Sequence, residues 1–351
     1  MRSAGLIAEN PADFGAGLTL PAFAKINLTL ELLGCRADGY TELRTIYQTV
    51  TLHDRLRIRL ARSGAGIVVR VPGGGAPAGR SNLVYAALAR AGRALGLRRG
   101  IEVELEKNIP PASGLGGGSS DAAAAVVGLL RLTGERLPAG ELARLGAEIG
   151  ADVPYFFLGG RALGVARGDE IYPLDDGEAE WVVLVTPAIA ISTREAYRWA
   201  AARLTLSRRP AIIPARRLPP DALWTAGNDF EAVAFPRFPE LARIKRALLR
   251  AGAQRAGLSG SGSTVFGLFA RRAAAERAAA LWARRAAVFL GETLPRARYR
   301  RALGLDAVLP DGESSSGRTS AFGAEDPGSN PGSPATLEAA GGKLAGFRAG
   351  F

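Results

Sequence analysis

The chain has 351 residues, room for two domains with substantial cores, and its 47% hydrophobic content is that of a globular protein. A single cysteine excludes an internal disulfide or a thiolate metal cluster and fits a reducing, cytoplasmic setting, and no apolar run reaches bilayer length. The formal charge of +12 is spread over nearly every predicted helix, and its densest pairs, such as Arg98-Arg99 and Arg300-Arg301, lack interleaved aromatics, so neither nucleic acid nor membrane is an expected partner.

Residues 1–15 read as a loose leader with no secretory or transit signal. Leu18–Leu33 is apolar and β-branched and predicts a strand, in which period-two alternation puts Lys25 and Asn27 on one face. A turn at Ala37-Asp38-Gly39 leads past Tyr40 and Thr41 into a second strand that runs through Val50 to Leu60. The only histidine, His53, lies in that strand beside Asp54 and reads as a surface or structural residue. Next come a strand at Gly66–Val71 and a helix at Ser81–Leu95, with Asn82 at a helix-capping position. Between them Gly74 to Ser81 spells Gly-x-x-x-x-Gly-Arg-Ser. A P-loop needs lysine where Arg80 stands, and Pro77 removes an amide, so this segment reads as a connecting loop and not a phosphate site.

The most informative stretch is residues 110–125, which follow a predicted strand at Ile101–Glu106 and open with Pro110. Gly114, Gly116, Gly117 and Gly118, with Leu115 between them, are followed at once by Ser119 and Ser120 and a small-residue helix, Ser120–Leu132. Glycines let several backbone N–H groups converge on one anion, the serines can cap the helix, and its N-terminus favours negative charge. A plain glycine-rich turn would use the same residues, but the order strand, glycines, hydroxyls, helix points to a cradle for nucleotide phosphates. Lysine occurs only at Lys25, Lys107, Lys245 and Lys343 among 45 basic residues, which marks Lys25 and Lys107 as sites wanting a compact ammonium.

A helix at Leu137–Ile149 is expected to end on a left-handed Gly150, placing Asp152 just past the helix end and ahead of Pro154. With no histidine in these blocks, a carboxylate is the candidate base. The second half begins with a buried strand at Trp181–Val185. Helices at Thr193–Leu204, Pro239–Ala251 and Arg272–Arg285 follow, with a Gly260–Thr264 loop between short strands and a proline-rich connector at Pro210–Pro220. Residues 311–351 read as a disordered tail. The pattern predicts an α+β protein with domains at 16–175 and 176–310.

Four blocks, Pro21–Leu28, Arg36–Leu43, the glycine loop and Gly150–Phe156, together with Gly260–Thr264, resemble the GHMP kinases over residues 20–305. Asp38-Gly39-Tyr40 and Gly150-Ala151-Asp152-Val153-Pro154 are similar to the branch that phosphorylates the 2-hydroxyl of 4-diphosphocytidyl-2-C-methyl-D-erythritol in non-mevalonate isoprenoid biosynthesis. The resemblance implies an N-terminal ribosomal S5 domain 2-like fold, a C-terminal ferredoxin-like fold, and a site in the cleft between them that uses ATP and Mg²⁺. It implies that Asn82, Lys107, Pro110 and the loop Gly114, Leu115, Gly116, Gly117, Gly118, Ser119 and Ser120 hold the nucleotide, with Ser119 or Ser120 on magnesium. Lys25 and Asp152 correspond to a catalytic pair, in which a carboxylate beside an ammonium serves alignment and late proton uptake. Asn27, Tyr40, Thr41, Thr193 and Tyr197 fall where the acceptor is recognised, Tyr40 as a stacking platform for cytosine. Thr41 stands where the family usually has histidine. The alternatives are another GHMP kinase of homoserine or mevalonate type, or a basic RNA-associated protein on the S5-like fold.

Overall fold

In the computed structural model, residues 17–36, 38–61, 66–204 and 227–310 are described, so the leader, the proline-rich connector and the tail at 311–351 lie outside them. Two long strands organise everything else. β1 (Leu18–Cys35) and β2 (Thr41–Leu60) pair antiparallel along almost their whole length. The far edge of β2 takes β4 (Ile101–Glu106) along Arg55–Leu60 and β5 (Arg161–Val165) along Thr45–Gln48. β3 (Ile67–Arg70) runs parallel to β4, and β6 (Glu170–Pro173) closes the other edge. On the exposed face of this sheet Arg57 and Arg59 pair with Glu104 and Glu102 across the strands, which places part of the arginine excess against acids.

The second sheet is antiparallel, in the order β10 (Ala287–Glu292), β7 (Trp181–Thr186), β9 (Val265–Phe269), β8 (Arg255–Leu258). Its helices are α4 (Thr193–Leu204), α5 (Glu231–Arg237), α6 (Pro239–Arg250) and α7 (Arg272–Ala280). The first sheet carries α1 (Leu83–Ala94), α2 (Gly117–Thr133) and α3 (Ala139–Ile149), and α8 (Arg296–Leu303) returns to it. α7 stops at Ala280, short of the predicted Arg285.

Three apolar clusters hold the molecule. The first packs Leu20, Leu56 and Ile58 against α1 and α2, and takes Tyr299, Leu303 and Leu305 from the end of the described chain. The second surrounds the helices of the other half and takes Leu30, Leu32 and Leu43 from the distal end of the β1–β2 hairpin. The third lies between the two sheets, where Ala24, Ile26, Ile46 and Val50 meet Val182, Leu184, Phe266 and Leu268. A register shift between Phe23 and Lys25 makes this possible. It exchanges the faces of β1, so that Leu20 and Ala22 enter the helix-covered core while Ala24 and Ile26 turn to the second sheet. Lys25 and Asn27 are left on the helix side, directly under the head of α2, where Lys25 carbons would lie 3.1 Å from a Cβ on Gly116.

Candidate active site

A cavity of about 770 Å³ opens where the hairpin, the glycine loop and the second half meet. Lys25, Asn27, Tyr40, Thr41, Asn82, Lys107, Pro110, Gly114 to Ser119, Asp152, Thr193 and Tyr197 all line it. Ser120 does not: it is 2% exposed and packs inside α2.

The glycine loop is built differently from the sequence expectation in one respect. α2 starts at Gly117, and its N-cap is Gly116, left-handed at φ 72°, with no side chain capping the helix. Ser119 and Ser120 therefore sit inside the first turn and cannot cap it. The earliest intrahelical bond runs from the Ser120 N–H to the Gly116 carbonyl at 2.9 Å, which leaves the N–H groups of Gly117, Gly118 and Ser119 at the helix head. Donors converging on a helix N-terminus are the arrangement that suits an anion. The neighbouring backbone is tied down, since the Lys25 N–H donates to the Leu115 carbonyl at 3.0 Å.

A second correction concerns Gly150. Its φ is 178°, ordinary extended backbone rather than left-handed. α3 ends because residues 151–153 turn into a short 3-10 helix, Pro154–Phe157, and that turn presents Asp152 to the cavity. The Asp152 Oδ2 lies 3.5 Å from the Lys25 Nζ. Lys25 also donates to Asn27 Oδ1 at 2.7 Å, Asn27 donates to Thr45 Oγ1 at 2.7 Å, and Thr45 donates to the Thr29 carbonyl at 2.6 Å. This chain satisfies every buried polar group it contains and fixes the ammonium in place.

Lys107 is held by two buried carboxylates. Its ammonium sits between Asp54 and Asp121, at 2.6 Å from the latter. Asp54 is fully buried and also accepts the backbone N–H groups of Asn108 (2.5 Å) and Ile109 (2.8 Å), anchoring the approach to the glycine loop. Burial opposes the Lys107 charge, but the two carboxylates outweigh it and raise its pKa. Burial pushes the Asp121 carboxyl up to about 8 against the pull of Lys107, and its Oδ1 has no partner. One ammonium faces two buried carboxylates, and the desolvation that results is what raises the Asp121 carboxyl.

At the other end of the cavity Tyr40 is 56% exposed. Its N–H donates to Asp38 Oδ1 at 3.1 Å, and the guanidinium of Arg167 lies 4.9 Å from its ring centroid. The Tyr40 N–H bond holds the Asp38 carboxyl below its usual range. Arg167 is itself fixed by Asp169, with Nε donating at 3.0 Å. Tyr197 packs edge-on against Phe230 at 4.9 Å, and Thr193 meets Ser261 at 3.3 Å. Asn82 caps α1 by accepting the Val84 N–H at 2.9 Å and donates to the Pro77 carbonyl at 2.7 Å, so part of its amide is committed to structure. The Gly74–Ser81 segment is a loop ending in a 3-10 turn, yet Gly75, Ala76, Pro77 and Ser81 contribute to the cavity wall.

Residues 82–160 match the family described as GHMP kinases N terminal domain, and residues 217–287 match GHMP kinases C terminal. A 4-diphosphocytidyl-2-C-methyl-D-erythritol kinase of Moorella thermoacetica is 42% identical over 293 residues, covering 82% of this chain and 99% of that protein. The chain belongs to the GHMP kinases, in the 4-diphosphocytidyl-2-C-methyl-D-erythritol kinase family. The relative from Solibacter usitatus is 43% identical over 279 residues, 74% of this chain and 83% of its own. A crystal structure of a 4-(cytidine 5'-diphospho)-2C-methyl-D-erythritol kinase superposes with a TM-score of 0.65 at 32% identity, over 79% of this chain and 99% of its own. The GHMP kinase fold, an α+β architecture with N- and C-terminal domains, is thus the fold of this chain. Among the described residues no helix is long and apolar enough to cross a membrane.

Proposed function

We propose that this kinase transfers the γ-phosphoryl group of ATP to the 2-hydroxyl of 4-diphosphocytidyl-2-C-methyl-D-erythritol, with Lys25 and Asp152 as the catalytic pair. The observation that carries this reading is the 3.5 Å Lys25–Asp152 pair in the same cavity as the N–H groups at the head of α2. Phosphoryl transfer needs positioning and charge stabilisation more than covalent chemistry, and the cavity supplies both. The helix head and Lys107 take the nucleotide end; Tyr40, Thr41, Thr193, Tyr197 and Asn27 take the acceptor. In the transfer the acceptor oxygen forms the bond to the γ-phosphorus and its proton passes to Asp152. The oxygen bridging the β- and γ-phosphorus atoms leaves with ADP. Lys25 stabilises the charge that develops on the transferred group.

The cavity also suits Mg²⁺ carried by the nucleotide. Among the described residues no three His, Cys, Asp or Glu side chains cluster to hold an ion. Ser119, on the cavity wall, would be the serine to hold such an ion, and Ser120 is buried. When bound, the ion would offset the negative charge of the nucleotide phosphates during transfer.

The deciding experiment is coupled ADP release with Mg-ATP and a panel of 4-diphosphocytidyl-2-C-methyl-D-erythritol, homoserine, mevalonate and no acceptor. Turnover confined to the cytidyl substrate supports the proposal and shows that Thr41 is tolerated. Turnover confined to another acceptor overturns the substrate assignment.

A further inference from the structure

We propose that Tyr47 is a positioning residue for the reaction: its hydroxyl donates its one proton to the Asp152 carboxylate and holds that group in its working orientation. The inference rests on the assignment of Asp152 as the group that receives the acceptor proton.

Tyr47 lies on β2, 2% exposed, paired in register with Asn27 of β1. Its hydroxyl is 3.1 Å from Asp152 Oδ1 and 3.2 Å from the carbonyl oxygen of Gly168. The other carboxylate oxygen, Oδ2, faces the Lys25 Nζ. Asp152 therefore has one oxygen on a cation from β1 and the other on a donor from β2. Two partners on two paired strands fix the plane of the carboxylate, which a single partner would leave free to rotate. The ring is itself immobile: it packs on Tyr155 at a centroid distance of 4.6 Å, and the Lys25 ammonium lies 5.3 Å from its centre. Burial, and then the charge of Asp152, keep the phenol pKa well above its ordinary value, so the group stays a neutral donor. The Gly168 carbonyl oxygen competes for the same single proton, and the charged carboxylate is the stronger acceptor of the two.

The test is Tyr47→Phe in the full chain, which keeps the ring and removes only the donor. The expected result is a kcat lower by ~10-fold, with KM for ATP and for the acceptor within about twofold of wild type, the split expected for an interaction that matters in the transition state. In an Asp152→Asn background the same change is expected to cost less than about twofold, because the partner it positions is already disabled. Placing p-aminophenylalanine at position 47 retains an N–H donor and is expected to return kcat to within about threefold of wild type, the rescue a purely structural role would not demand. This protein also decides the matter if loss of the hydroxyl prevents folding. An unchanged kcat in Tyr47→Phe, or an equal loss in the Asp152→Asn background, overturns the proposal. Near-normal turnover by Asp152→Asn alone overturns the assignment of Asp152 instead.

Discussion

The hydroxyl of Ser259 donates to the carbonyl oxygen of Gly114 at 2.9 Å, so the glycine loop of one half is pinned to the serine-rich loop of the other. The Thr264 N–H adds a bond to the Ser113 carbonyl at 3.1 Å. Gly114 is left-handed, φ 79°, and a Cβ there would come within 2.0 Å of the Ser259 carbonyl oxygen. Gly114→Ala is therefore expected to displace the loop, lowering stability by ~3 kcal/mol or more and abolishing tight ATP binding. At Gly118 a Cβ would meet only Leu83 Cδ1, at 3.4 Å. Gly118→Ala should keep or slightly raise the melting temperature while weakening ATP, since its methyl group sits at the helix head. Thermal melts with and without nucleotide separate the two outcomes.

Lys25 pairs with Asp152, proposed above as the proton acceptor, and also donates to Asn27. Lys25→Met is expected to lower kcat by ~100-fold or more while leaving Mg-ATP affinity within about threefold. Asn27→Ala should lie between that variant and wild type, because it releases the ammonium without removing it. Steady-state kinetics beside equilibrium nucleotide binding test both.

Tyr40 and Arg167 form one unit at the end of the cavity proposed to take the acceptor. Tyr40→Ala should raise the acceptor KM by ~10-fold with kcat and the ATP KM little changed, on the scale of one lost base stack. Arg167→Ala should give a smaller rise, about threefold, because it removes only the cation packed behind the ring. Equal effects on ATP and acceptor would show that the two residues do not serve the acceptor alone.

Asp121 gives a pH signature in stability. Its folded pKa, about 8, is raised from 3.8, so its favourable contribution is complete below the lower value and is lost as pH rises through the higher one. Asp121→Asn is expected to gain on the wild type across that interval, by at most about 1.4 kcal/mol per pH unit, and to hold a constant advantage above it. Melting curves of both proteins from acid to mildly alkaline pH check the slope.

Local signals were legible in the sequence wherever the chain itself sets the geometry. The glycine loop, the shared face of Lys25 and Asn27, and Asp152 just beyond a helix are short-range features. Tyr47 was not legible, because β2 from Thr45 to Val50 is buried on both faces, by α2 on one side and by the second sheet on the other, and alternation disappears. Asp54 did leave a trace. It occupies the inward position in the series Leu52, Asp54, Leu56, Ile58, and an acid there requires a buried partner, for which the rare Lys107 was the available candidate. The 3-10 turn that ends α3 replaced the left-handed glycine because Pro154 starts a new turn at once. Arg167 and Ser261 enter the cavity only through long-range packing, which no spacing rule encodes.

The β1–β2 hairpin runs through all three apolar clusters, from Leu20 at one end to Leu32 and Leu43 at the other. The halves are thus not beads on a string. Cutting the chain between them would leave Leu30, Leu32 and Leu43 with nothing to cover them, so the described body should melt in a single cooperative transition rather than two. Opening the cleft by a hinge would mean bending a continuous two-stranded beam. A rigid beam would hold Lys25 and Tyr47, which it carries on its two strands, at one spacing while the loops around the cavity move.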